Sequence, residues 1–185
     1  MFVKMLMSLR ECLKKYGSMY RVEESIRKGE LRKVEPGVYS DGGDYTEVEI
    51  LLVKYPKAVV TLQTAYYYYD LSDSLPDEIH LATDRNAAKI GDPRVLQHFL
   101  PSGTLQIGVV ERSFGNETVA RIYNLERLLI ETVRNKTKLP YDLYKEVIES
   151  YRNRRNELYP AMMTDYLEAF PRKDALLRRI SNEVF

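Results

Sequence analysis

The sequence predicts an α+β protein: a small N-terminal winged helix-turn-helix, then a mixed α/β domain with a helical C-terminal part. Three observations predict it. Two short amphipathic stretches punctuated by Gly17 and Gly29 precede a basic segment turning at Pro36-Gly37. Short apolar runs bounded by turn formers fill the middle of the chain. Four one-sided apolar stripes separated by prolines follow Asn124. The expected division is residues 1–43 for the first part and 44–185 for the second, with strands and helices to about 123 and a helical bundle over 124–185.

The elements follow in order. Met5, Leu9, Cys12, Leu13 and Tyr16 keep the 3.6-residue period, which predicts a helix over about 4–16 with Cys12 on its apolar face. Gly17 stops it. Met19, Val22 and Ile26 form one face of a second short helix, ended by Gly29. Its opposite face carries Arg21, Glu24, Ser25 and Lys28. Leu31, Val34, Val38 and Tyr39 around Pro36-Gly37 predict a hairpin over 31–39. A short second helix of this kind can enter a major groove while a cationic hairpin meets phosphates. Arg21, Ser25 and Lys28 would then face the groove, and Arg32 and Lys33 would contact the backbone.

Residues 46–54 are expected to be helical, with Val48, Leu51 and Leu52 together. "YPKAVVT" predicts a short buried strand, with Thr61 as the N-cap of the next helix. The run "TLQTAYYYYDL" (61–71) is ambiguous, because tyrosine favours strands. Leu62, Ala65, Tyr66 and Tyr69 nevertheless sit at i, i+3, i+4 and i+7, so a helix is expected. Residues 78–84 and 94–100 predict strands. Residues 108–123 predict a hairpin turning at Gly115-Asn116. Asn124 is a good N-cap for the first of the closing helices. Their stripes are Leu125, Leu128, Leu129 and Val133; Tyr144, Val147, Ile148 and Tyr151; Met163, Tyr166, Leu167 and Phe170; and Leu176, Leu177 and Ile180.

Composition bounds the function. The chain has 185 residues, 44% hydrophobic and 30% charged, which suits a folded domain rather than a disordered segment. Its longest aliphatic run, Ile50 to Val53, is too short to span a bilayer. Charges interrupt the apolar N-terminus, so a cytoplasmic protein without a signal peptide is expected. One cysteine excludes an internal disulfide and a cysteine-based zinc site. The net charge of +1 is uneven. Residues 1–40 carry nine Lys/Arg against five Asp/Glu, while residues 41–110 carry five against ten. An anionic partner for the N-terminal part follows from that asymmetry.

Catalytic signatures are missing. His80 and His98 are the only histidines, 18 residues apart in two expected strands, and a structural role fits both. "DLSDSLPDE" clusters Asp70, Asp73, Asp77 and Glu78, but its composition is that of a loop. No Walker loop, G-x-S-x-G or Asp/Glu-x-Lys pair after Asp77 occurs in the strand region. A non-enzymatic protein without metal or cofactor is expected.

Three stretches then carry a resemblance: "GELRKVEPGVYSDGGD" (29–44), "YPKAVVTLQTAYYYYDLSDSLPDEIHLATDR" (55–85) and "VARIYNLERLLIETVRNKTKLPYDLYKEVIESY" (119–151). In this order and spacing the chain resembles the AbiEi antitoxins of bacterial type IV toxin–antitoxin, abortive-infection modules. The resemblance implies an N-terminal winged helix-turn-helix that binds inverted repeats in promoter DNA and represses its own operon. It implies a C-terminal domain that counteracts an AbiEii-like nucleotidyltransferase toxin, with no stable complex required. It also implies that Tyr66 and Tyr69 are core while Tyr67 and Tyr68 are partly exposed. Family members usually carry a helix before the pair matched here, so the DNA-binding part is expected to be shortened, in a monomer or weak dimer. An alternative is an interaction module that blocks a toxin by direct contact, with a vestigial DNA-binding part. For the C-terminal part, Arg121, Arg127, Arg134, Arg152, Arg154 and Arg155 are candidate contacts for toxin or RNA.

Overall fold

The computed structural model describes residues 5–115 and 118–185. Its architecture is mixed α+β, with a three-stranded and a five-stranded sheet. Contacts group the chain into two units: Met1–Lys57 with Glu111–Ala120, and Ala58–Val110 with Arg121–Phe185.

The first unit begins with β1 (Leu6–Ser8), α1 (Leu9–Tyr16) and α2 (Met19–Arg27). It continues with β2 (Arg32–Glu35), β3 (Val38–Ser40) and α3 (Glu47–Lys54). β3 lies between β1 and β2 and is antiparallel to both. The first helix starts at Leu9, not near residue 4, which lies outside the described residues. Ser8 and Glu11 form a capping box, so the chain before Ser8 is released to pair with β3. Gly17 ends α1 in the left-handed region, as expected. Gly37, at φ +84°, makes the turn between β2 and β3 where Pro36-Gly37 predicts one. Met7, Cys12, Val22, Leu31 and Tyr39 form the core of this unit. The sequence places a boundary after residue 43, whereas α3 packs on β1 and β3 and groups with the first unit.

The next strands and helices are β4 (Val59–Val60), α4 (Leu62–Tyr68), β5 (Ile79–Asp84), β6 (Val95–Leu100) and the short α5 (Ser102–Leu105). Then come β7 (Val109–Phe114) and β8 (Thr118–Tyr123), matching the expected hairpin strands; Asn116 of its turn lies outside the described residues. The sheet order is β6-β5-β4-β8-β7. β4 is antiparallel to β5 but parallel to β8, and β5 is parallel to β6. The helical C-terminal part comprises α6 (Leu125–Arg134), α7 (Tyr141–Asn153), α8 (Pro160–Leu167) and α9 (Lys173–Glu183). Asn124 caps α6 by accepting from the Arg127 N–H at 3.0 Å.

The tyrosine run is helical. Tyr66 is fully buried, with its hydroxyl 2.9 Å from that of Thr132. Tyr67 is exposed and Tyr68 half-buried. Tyr69 is a correction: it is half-buried rather than core, because α4 stops at Tyr68 and Asp70 turns the chain at φ +54°. Thr61 holds the N-cap position, but its side chain makes no capping bond.

Candidate functional site

In the first unit, Arg21 lies exposed on α2, Lys28 lies exposed at its C-cap, and Arg32 and Lys33 lie exposed on β2. Ser25 does not join them; it is 7% exposed. The turn after α2 explains this correction. The Ser25 carbonyl accepts from the N–H groups of Glu30 and Leu31 at 3.0 and 3.2 Å, so the chain doubles back over that residue. Lys28 is not a free cation either. Its ammonium lies 2.9 Å from the Glu24 carboxylate, one helical turn away, and this bond raises its pKa. Arg32 donates weakly to the Gly43 carbonyl at 3.4 Å. Two exposed residues on the same helix were not among those expected: Tyr20, and Arg27 above its ring at 5.9 Å. Their spacing of seven places them on one helical stripe, a signal present in the sequence.

The arginines of the second unit divide sharply. Arg127 cannot contact a partner, because it is completely buried. Its guanidinium lies between the rings of Tyr123 and Phe170, 4.5 and 4.6 Å from their centroids. It donates to the Thr104 carbonyl at 2.7 Å and to Glu131 at 2.6 Å. Arg134 is half-buried; it donates to both Glu131 oxygens at 2.7 and 2.9 Å, and its guanidinium lies 4.8 Å from the Phe170 ring centroid. Arg121 donates to Gln106. Arg154 is occupied by Glu157 and by the Tyr69 carbonyl. Arg152 is exposed and donates to the Glu183 carbonyl at 2.5 Å. Arg155 is exposed. "RNRRN" is therefore not one cationic surface.

A polar cleft of about 320 Å³ lies against β6 and the end of α6. His98, Glu131, Arg134 and Lys138 line it. Behind His98 lies His80, with His98 Nε2 3.1 Å from His80 Nδ1. Burial, followed by the neighbouring His98, pushes His80 down to about 4; burial also lowers His98. Both imidazoles are therefore neutral near pH 7. Glu131 is the cleft residue that sequence reasoning missed. It follows Arg127 by four and precedes Arg134 by three, so the helical period alone places it between two guanidiniums. Among the described residues no cluster of His, Cys, Asp and Glu could hold a metal ion. Among the described residues no helix is long and apolar enough to cross a membrane. No protein-family model and no curated protein matches the chain.

Proposed function

We propose that the chain is the antitoxin of a type IV toxin–antitoxin module. In this reading it counteracts a nucleotidyltransferase toxin and represses its own operon by binding inverted repeats in promoter DNA. It acts in the cytoplasm, as a monomer or weak dimer, without catalytic activity of its own. Two things support the reading: the ordered resemblance to AbiEi antitoxins, running from about residue 10 to 170, and the exposed cations around α2 and β2. The second carries it. Arg21, Arg27, Arg32 and Lys33 are all exposed on one helix and the hairpin that follows it. A helix pair with a cationic hairpin is the arrangement of a winged helix-turn-helix, in which such side chains meet phosphates.

A gel-shift with the chain's own upstream DNA tests this. A fragment with inverted repeats should be retarded at low salt, and the double variant R32A/K33A should bind at least tenfold more weakly on every sequence, since phosphate contacts carry no base preference. Absence of retardation at low salt removes repression from the reading.

Two observations favour a second reading, direct blockade of the toxin. The Glu24–Lys28 pair and the burial of Ser25 remove two of the five expected DNA contacts. Co-purification with the nucleotidyltransferase from the adjacent reading frame separates the two: recovery of free toxin alone refutes blockade.

A further inference from the structure

The cleft beside β6 holds more unused bonding capacity than a packed surface requires. Thr61 lines it, is 2% exposed, and its hydroxyl has no hydrogen-bond partner. Buried hydroxyls are normally paired, so an unpaired one lining a cleft asks for a bond from outside the chain. The next residue, Leu62, holds φ at +42°, a strained conformation for a branched side chain and one that concentrates at ligand sites. His98 spends Nε2 on His80 and has no other partner for Nδ1 among the described residues. Lys138 is exposed at the rim and forms no ion pair among the described residues.

Charge selects the ligand. Glu131 is the one carboxylate lining the cleft, and it already accepts from Arg127 and Arg134. Arg134 and Lys138, the two cations lining the cleft, exceed it by one, while the imidazoles are neutral. The donors that remain are the Thr61 hydroxyl, the rest of the Arg134 fork, the Lys138 ammonium and, in the tautomer where His80 Nδ1–H donates to His98 Nε2, the His98 Nδ1–H. Donors approaching from several directions with a surplus positive charge suit a phosphate monoester, an anion with three strong acceptor oxygens. A planar carboxylate offers only two oxygens to these donors. Phe99, 47% exposed at the cleft, provides an apolar face for the organic part. The volume lies at the lower end of small-ligand sites.

We propose that this cleft binds a small phosphate monoester, its phosphate held by Arg134, Lys138, His98 and Thr61 and its organic part against Phe99. The cleft lies wholly within the second unit, and the proposal does not rest on the DNA-binding reading. The monoester belongs either to a free metabolite or to the terminal phosphate of a nucleic-acid strand.

Titration of the full chain, followed by NMR of the His98 ring and the Asn135 side-chain amide, tests the site. The probes are ribose 5-phosphate, ribose, and a trinucleotide with and without its 5′-phosphate. Saturable shifts are expected with the phosphorylated probes and none with the others. K138A, at an exposed position that leaves folding intact, should weaken binding about tenfold, as expected for one lost charge-assisted contact. T61V should weaken it while leaving the fold unchanged. Tighter binding of the phosphorylated trinucleotide than of ribose 5-phosphate assigns the strand end; the reverse assigns a metabolite. The proposal is overturned if no probe gives saturable shifts at millimolar concentration, if the unphosphorylated forms bind equally, or if K138A binds like the parent chain.

Discussion

Single residues show how burial decides what a charge can do. Arg127 has the composition of a contact residue and the position of a core residue. Its charge is tolerated because Glu131 neutralises it, Thr104 accepts from it and two rings flank it. His80 is tolerated differently, by remaining uncharged. Its folded-state pKa lies at about 4 against an ordinary 6.5, so between those values the unfolded chain binds a proton that the folded chain refuses. Stability is therefore complete above pH 6.5 and is lost as pH falls toward 4. Lowering the pH from about 7 to about 5 should cost roughly 2 kcal/mol from this residue. Urea unfolding at the two pH values checks it. H80N should flatten the dependence by about that amount, and an unchanged slope in H80N would refute the assignment.

Elements were set by local signals that are short but strong. Ser8-x-x-Glu11 and Thr46-x-x-Glu49 are both capping boxes, and both mark the observed helix starts. The first outranks the apolar period that runs on through Met5, and so the helix gives way to β1. In S8A the Glu11 N–H loses its acceptor and Ser8 its hydroxyl bond to Glu11. A loss of about 1 kcal/mol is expected in urea or thermal unfolding. A shift below about 0.3 kcal/mol would mean the cap does not hold this boundary. The tyrosine run follows the same logic. Strand preference of four tyrosines yields to the i, i+3, i+4 spacing of Leu62, Ala65 and Tyr66, all buried on α4.

On the scale of the whole molecule, the charge asymmetry sets the test of DNA binding. With Lys28 occupied by Glu24, the first unit has Arg21, Arg27, Arg32 and Lys33 to offer phosphates. Four contacts give a slope of log affinity against log salt of about −4 for one copy, and about −7 for two copies on an inverted repeat. Under the proposed DNA binding, the measured slope reports how many copies bind one site. A slope near zero would show that these cations do not meet phosphates.

Local order was written in the sequence, and non-local order was not. The glycine stops, the Pro36-Gly37 turn, the Asn124 cap and the closing helices each depend on neighbours within a few residues, so spacing alone reveals them. The same spacing could not show that β4 pairs with β8 at Val60 and Ile122, 62 positions apart, or that β5 and β6 bring His80 against His98. Nor could it show that Ser25 and Arg127 are covered, because the covering groups are the turn after α2 in one case and Tyr123, Phe170 and Thr104 in the other. A helical period tells which residues share a face; only the tertiary contacts decide whether that face meets water or the rest of the chain.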